Sequence, residues 1–319
     1  MVDILTAGEI LVEIMRKERD VSLWVQSDFS GPYPSGAVAI FIDQAALLGH
    51  SAGIVGAVGD DDFGHRTRMR LNADGVDVSY VQVLKEATTA VAFVSYTSQG
   101  ERTFIYHIAN AAAGFFENPP EQELKEVKLF HVMGCSLMAG KRMRDRISSI
   151  ARWVKDGGGT VSFDPNIRVE LLKEEKLEDV IGTVMGLTDI LLPGERELLS
   201  ISGKNTTQEA ADFFLSQDMK ALVIKKGKEG ALYMDGKEQI EVKPFAIEEV
   251  DPTGAGDAFD AGFLCGYLEG LSPEQCLKLA SGCGALNASY FGPMEGVFHR
   301  SYVERFIQGR QNIRSCTGG

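Results

Sequence analysis

The chain has 319 residues, 44% of them hydrophobic and 24% charged, and carries a net charge of −13 at pH 7. That length suits one large α/β domain or two ordinary ones, and its apolar runs are too short to span a bilayer. The acidic excess argues against a nucleic-acid or anionic-membrane surface and leaves room only for a local basic pocket. Cys135, Cys265, Cys276, Cys283 and Cys316 are odd in number and form no C-x-x-C pair, so a reducing compartment is expected. No basic stretch followed by an apolar core opens the chain, which makes the cytoplasm the expected location.

In chain order, Ile4 to Ile14 reads as a buried strand of the central sheet, broken by Gly8 and Glu9. A proline and glycine turn, GPYPSG, then precedes an apolar helix from Ala37 to Leu48. In GAVGDDDFG, Asp60 to Asp62 suit the N-cap of a helix running to about Asn72 better than a metal site. Between Ala90 and Tyr106, two alternating apolar runs flank Ser98-Gln99-Gly100-Glu101 and predict a hairpin.

From Leu129 the pattern becomes strand and helix in alternation: LFHVMG, a helix over 141–155, TVSFDPN, a helix over 171–186, DILLPG and a helix over 206–217. This predicts an α/β fold with a doubly wound, mostly parallel central sheet flanked by helices. Ligands of such sheets collect at the carboxyl ends of the strands, where Asp164, Asn166, Gly194 and Glu197 fall. ALVIKKGKEGALYM is strand, turn and strand, and no repeat or linker divides the chain, so residues 1–319 form one domain.

The most informative stretch is DPTGAGDAFDAGF, residues 251–263. Asp251 and Pro252 close an extended segment, Gly254, Ala255 and Gly256 keep the backbone bare, and Phe259, Phe263, Tyr267 and Leu268 recur at helical spacing. The first-turn amides of such a helix lack internal partners and favour an anion. Asp257 in the same turn is poised to accept a proton from a hydroxyl as it attacks a phosphoryl group held on those amides. A short glycine motif by itself is only a softened helix start.

The full stretch, with GAVGDDDFG, GERTFIYHIANAAA and FDPNIR, resembles the ribokinase-like (PfkB-type) carbohydrate kinases, and the resemblance covers nearly the whole chain. It implies that Asp257 is the catalytic base, that Gly254, Ala255 and Gly256 form the anion hole, and that Gly262, Gly266 and Gly270 let the helix pack closely. It also implies a small β lid from segments near 12–34 and 90–110, folding over the sugar and mediating a homodimer. The sugar side is expected to comprise Glu13, Ser35, Gly36, Arg102, Tyr106, Asp164, Arg168 and Asp257. The nucleotide side comprises Lys225, Gly227, Gly230, Gly254, Gly256 and Ser281. Glu197 would place Mg2+ through water, and Asp251 and Thr253, with carbonyls near Phe291 and Gly292, would form the K+ site found in some members.

Three departures from the family pattern matter: Ile40 stands where a sugar-contacting asparagine is expected, Gly194 replaces the asparagine of N-x-x-E, and Ser281 stands at an adenine-side asparagine. Ile108 takes the place of the carboxylate-binding arginine found in relatives that phosphorylate 2-keto-3-deoxygluconate. His107 is expected to make an ordinary polar contact. The reading is an ATP- and Mg2+-dependent kinase of a ketohexose such as tagatose or fructose. The alternatives are a kinase of 2-keto-3-deoxygluconate or another sugar acid, less readily a nucleoside kinase, and, in another class, a sugar-binding regulator without turnover. A Rossmann dehydrogenase lacks its G-x-G-x-x-G after the first strand. Sugar and ATP are the expected partners, with neither nucleic acid nor membrane.

Overall fold

A computed structural model describes residues 2–99, 102–172 and 174–315, with side chains as far as Gly309. Gly100 and Glu101 of the expected hairpin turn, and Cys316, lie outside the described residues. The strands are β1 (Ile4–Ala7), β2 (Leu11–Arg16), β3 (Phe29–Ser35), β4 (Ala52–Gly59), β5 (Val81–Leu84), β6 (Ala90–Tyr96), β7 (Arg102–His107), β8 (Leu129–Met133), β9 (Thr160–Asp164), β10 (Ile190–Leu191), β11 (Ala221–Lys225), β12 (Ala231–Met234) and β13 (Gln239–Val242).

Nine of these form one sheet in the order β13-β12-β11-β10-β9-β8-β1-β4-β5. It is parallel from β11 to β5, and β12 and β13 add antiparallel to one edge. Its central strands are apolar without alternation because helices cover both faces. The Ala37–Leu47, Ala255–Leu268 and Pro273–Ala288 helices pack on one face, and Lys141–Asp156, Leu177–Met185 and Thr207–Leu215 on the other, giving two buried cores. The single helix expected over 171–186 is two, Val169–Leu172 and Leu177–Met185, with Lys176 extended at the second one's N-cap. A further helix, Glu195–Ser202, precedes the one near 206–217.

The remaining strands form a separate sheet in the order β3-β2-β6-β7. The run from Ile4 to Ile14 is therefore two strands in two sheets, and only Ile4–Ala7 joins the central one. Gly8 marks the crossing, because a Cβ there would lie 2.4 Å from Ser136 Oγ. β6 and β7 pair antiparallel as the hairpin pattern requires. Alternation along β7 turns Arg102, Phe104 and Tyr106 towards the central sheet and leaves Thr103, Ile105 and His107 outside.

Candidate active site

The lid sheet and the carboxyl ends of the central strands enclose a pocket of about 60 Å³. A broader apolar groove, lined by Gly227, Gly230, Phe245, Gly256 and Ser281, lies alongside it. The two meet at the start of the Ala255–Leu268 helix, where Gly254 and Asp257 face the enclosed pocket and Ala255 and Gly256 face the groove. Gly254 caps this helix at φ 79°, and a Cβ there would meet Pro293 O at 2.5 Å and Asn287 Nδ2 at 2.8 Å. Only glycine fits that turn. Near Gly256 a Cβ would find only Lys225 Nζ at 3.8 Å, so space is left beside the first-turn amides for an anion.

Asp257 is the third residue of the helix and is 7% exposed. Asn166 Nδ2 donates to its Oδ1 at 3.1 Å. Asn166 takes φ 36° in the turn after β9, a conformation asparagine tolerates better than most residues, and its backbone N–H donates to Asp164 Oδ1 at 3.1 Å. Burial, and then the negative charge of Asp164, push the Asp257 carboxyl up to about 7, against the opposing pull of Lys225, Arg168 and Arg102. A carboxylate so placed takes a proton readily near neutral pH.

Beneath the pocket lies a buried ion cluster. Lys225 Nζ donates to Asp164 Oδ2 at 2.7 Å and to both oxygens of Asp260 at 3.1 Å. Burial works against the Lys225 charge, but the carboxyls of Asp164 and Asp260 outweigh it and keep the lysine protonated. The Asp164 carboxyl pays the same burial cost, yet Lys225 holds it below the ordinary range. The cluster ties β9, β11 and the helix together, and Asp164 links it to Asn166, the hydrogen-bond partner of Asp257.

Most residues expected on the sugar side converge. Glu13, Gly36, Arg102, Tyr106 and Arg168 line the enclosed pocket with Asp257. Ser35 acts one step back, its hydroxyl donating to Glu13 Oε1 at 2.7 Å, while Glu13 Oε2 is buried without a partner. Burial pushes the Glu13 carboxyl up to about 7. Asp164 does not line the pocket, because Lys225 and the Asn166 amide take its oxygens. Ile40 and Ile108 line it with apolar surface, and His107 points outward, edge-on to the Phe93 ring at 6.3 Å.

On the groove side are Lys225, Gly227, Gly230, Gly256 and Ser281; Gly254 faces the enclosed pocket. Gly262 and Gly266 do allow close helix packing, since a Cβ would approach Ala280 Cα at 2.7 Å and Cys276 Sγ at 3.1 Å. Gly270 does not: it takes φ 73° in a turn with nothing within 4 Å of a Cβ.

Asn166, placed by the sequence at a ligand-collecting strand end, is found there beside Asp257, while three residues at or next to the site were not singled out by sequence reasoning. Asp260 had a signal, its place one turn after Asp257 on the same helix face. Glu9, which accepts from Ser136 Oγ at 2.5 Å and lines the pocket, and Tyr96, whose hydroxyl reaches Asp251 at 3.0 Å, had none.

The donor set for Mg2+ is all oxygen. Glu197 accepts from Ile167 N at 2.7 Å and from Gly194 N at 2.8 Å, so Gly194 serves as a helix N-cap and the carboxylate keeps lone pairs free. Asn166 Oδ1 is buried with no protein partner. Such groups suit an ion that keeps much of its water shell. At the Asp251–Thr253 turn, Asp251 accepts from Tyr96, Thr253 N and Gly292 N and the Thr253 carbonyl from Asn287 Nδ2, while Asn287 Oδ1 is buried without a protein partner.

The pattern of the pfkB family carbohydrate kinases matches residues 32–299. A fructokinase of Klebsiella pneumoniae is 32% identical over 286 residues, which cover 86% of this chain and 92% of that one. Among solved structures, the E. coli protein named "putative Ribokinase II", in complex with ATP and Mg2+, is 41% identical with a TM-score of 0.89, covering 97% of this chain and all of that one. A double mutant of the fructokinase of Vibrio cholerae O395, bound to fructose, ADP and potassium, is 25% identical with a TM-score of 0.83, covering 96% and 98%. The chain belongs to the pfkB family of carbohydrate kinases and is a sugar kinase.

Proposed function

We propose that the protein transfers the γ-phosphoryl group of ATP to a hydroxyl of a ketohexose such as fructose or tagatose. The observation that carries this reading is the position of Asp257 in the lid-side pocket, in the same helical turn as Ala255 and Gly256, which line the apolar groove. The sugar lies under the lid with a hydroxyl at Asp257, and Glu13 Oε2 accepts from another of its hydroxyls. ATP lies in the groove with its phosphates at the helix start. Asp257 takes the proton, the sugar oxygen bonds to the γ-phosphorus, and the bond to the β,γ-bridging oxygen breaks to leave ADP. The Gly254–Asp257 turn meets the charge that develops on the phosphoryl oxygens. Glu197 and Asn166 would hold a hydrated Mg2+, which neutralises phosphate charge. The lid excludes water that would compete as acceptor.

Charge balance in the pocket supports a neutral sugar. Two carboxyls, Glu13 and Asp257, share the pocket with Arg102 and Arg168, and both arginines favour their ionised forms. Apolar Ile108 adds no further cation. The same two arginines are the observation in favour of a sugar acid as the second reading. ADP release measured on ketohexoses, aldoses, sugar acids and nucleosides separates them: a ketohexose is expected to give the highest kcat/KM, and preference for 2-keto-3-deoxygluconate would replace this reading with the second.

Two further assignments belong to the proposal. Ile105 and Phe29, 47% and 37% exposed on the lid, give a homodimer its contact face. Cys135, Cys265, Cys276 and Cys283 are buried free thiols, in keeping with a cytoplasmic protein.

A further inference from the structure

The groove beside the enclosed pocket has a volume of about 660 Å³. It is lined by the segment from Pro244 to Ile247, by the turn that follows β11, and by one face of the Pro273–Ala288 helix. Ser281, Gly284, Ala285 and Ala288 recur along that face at spacings of three and four. Phe259 adds a buried ring, and Phe245 is braced by Phe306, their ring centroids 5.4 Å apart at 60°. Apolar walls and rings of this kind gain from the faces of a flat base, and every purine has the same faces to offer.

The identity of a purine is written on its edge, where adenine carries an amino donor at N6 and guanine a carbonyl acceptor at O6. Among the described residues, four polar side chains line the groove: Lys225, Lys228, Glu249 and Ser281. Lys225 is committed to Asp164 and Asp260. Lys228 and Glu249 face each other at 3.6 Å, with the lysine side chain 85% exposed. Ser281 is left to meet the edge of a base. A hydroxyl both donates and accepts and rotates to suit its partner. It therefore accepts from the N6 amino group of adenine or donates to the O6 of guanine. An asparagine at the same place would present a donor and an acceptor side by side, which match N6 and N7 of adenine but not the two acceptors of guanine.

We propose that this groove takes purine nucleotides with little regard to the base, so that GTP serves as phosphoryl donor nearly as well as ATP. The inference rests on the placement of the donor nucleotide in the groove. The bond that breaks, between the γ-phosphorus and the β,γ-bridging oxygen, is the same in both donors, and GTP leaves GDP in place of ADP. Ser281 is a specificity residue that tolerates both bases because its single hydroxyl serves either edge.

The test is calorimetric binding of ADP, GDP and CDP, each with Mg2+, to the full chain. It needs no turnover, so it does not depend on which sugar is the substrate. The dissociation constants of ADP and GDP are expected to agree within about tenfold. CDP, whose single ring buries less apolar surface, is expected to bind at least about fivefold more weakly than ADP. A difference between ADP and GDP above about tenfold would overturn the proposal and leave the groove standing as the nucleotide site. CDP bound as tightly as ADP would show that phosphates alone are held, and would overturn it as well. Failure of all three to bind would remove the nucleotide from the groove, and the proposal with it. Ser281→Asn is expected to move the ratio of the two purine affinities about tenfold towards ADP, and an unchanged ratio would overturn the assignment of Ser281 to the base edge.

Discussion

Replacing Asp257 by asparagine removes a charge while nearly conserving volume, and the Asn166 Nδ2 donor keeps an oxygen to bond at that position. Burial raises the Asp257 carboxyl from the ordinary 3.8 to about 7. The unfolded chain therefore loses this proton at lower pH than the folded chain does. Between roughly pH 4 and pH 7 the folded state binds more protons, so the contribution of Asp257 to stability falls as pH rises through that window. With about 1.4 kcal/mol per pH unit, protonating the group on folding costs about 2 kcal/mol at pH 5.5, and holding it ionised in the fold costs about 4 kcal/mol at pH 8. Asparagine carries no such cost. Urea unfolding of both forms at the two pH values is expected to show the variant more stable, with its advantage about 2 kcal/mol larger at pH 8. Equal differences at the two pH values, or a variant less stable at pH 8, would refute the placement of Asp257 as a buried, raised carboxyl. The same variant is expected to lose about 10²–10⁴-fold in kcat as a sugar kinase.

Other consequences are open to direct measurement. In the wild type, kcat/KM is expected to rise about tenfold per pH unit below pH 7 and to level off above it, because the base must be ionised; a profile flat from pH 5.5 to 8 would remove Asp257 from that role. Lys225→Met leaves Asp164 charged and buried without its cation, and denaturant titration is expected to show a loss of about 3–5 kcal/mol. Gly254→Ala meets both a positive φ and Pro293 O at 2.5 Å. It is expected to lower kcat at least about tenfold while changing sugar KM less, as steady-state kinetics would show.

How legible the molecule is from its sequence depends on how local each feature is. The sheet from β8 to β10 was legible because LFHVM, TVSFD and DILL are buried strand runs each followed by a helical period. The glycine turn ahead of Asp257 was legible because Gly254, Gly256 and Asp257 fall within one helical turn. The two-sheet split of residues 4–14 was not, since both halves are apolar and buried and only the packing of Ser136 against Gly8 reveals the crossing. Asp164 illustrates the harder case: a strand-end carboxylate reads as a ligand until Lys225, distant in sequence, is found on it. Tyr96 and Asp251 are 155 positions apart, and nothing in either local pattern announces their hydrogen bond.

The central claim is tested most directly by following ATP and fructose with the purified protein and Mg2+ by phosphorus NMR. The account predicts a sugar phosphate and ADP appearing in equal amounts with the wild type, and neither above background with Asp257→Asn. ADP and free phosphate without a sugar ester, or equal ester formation by the two proteins, would contradict it.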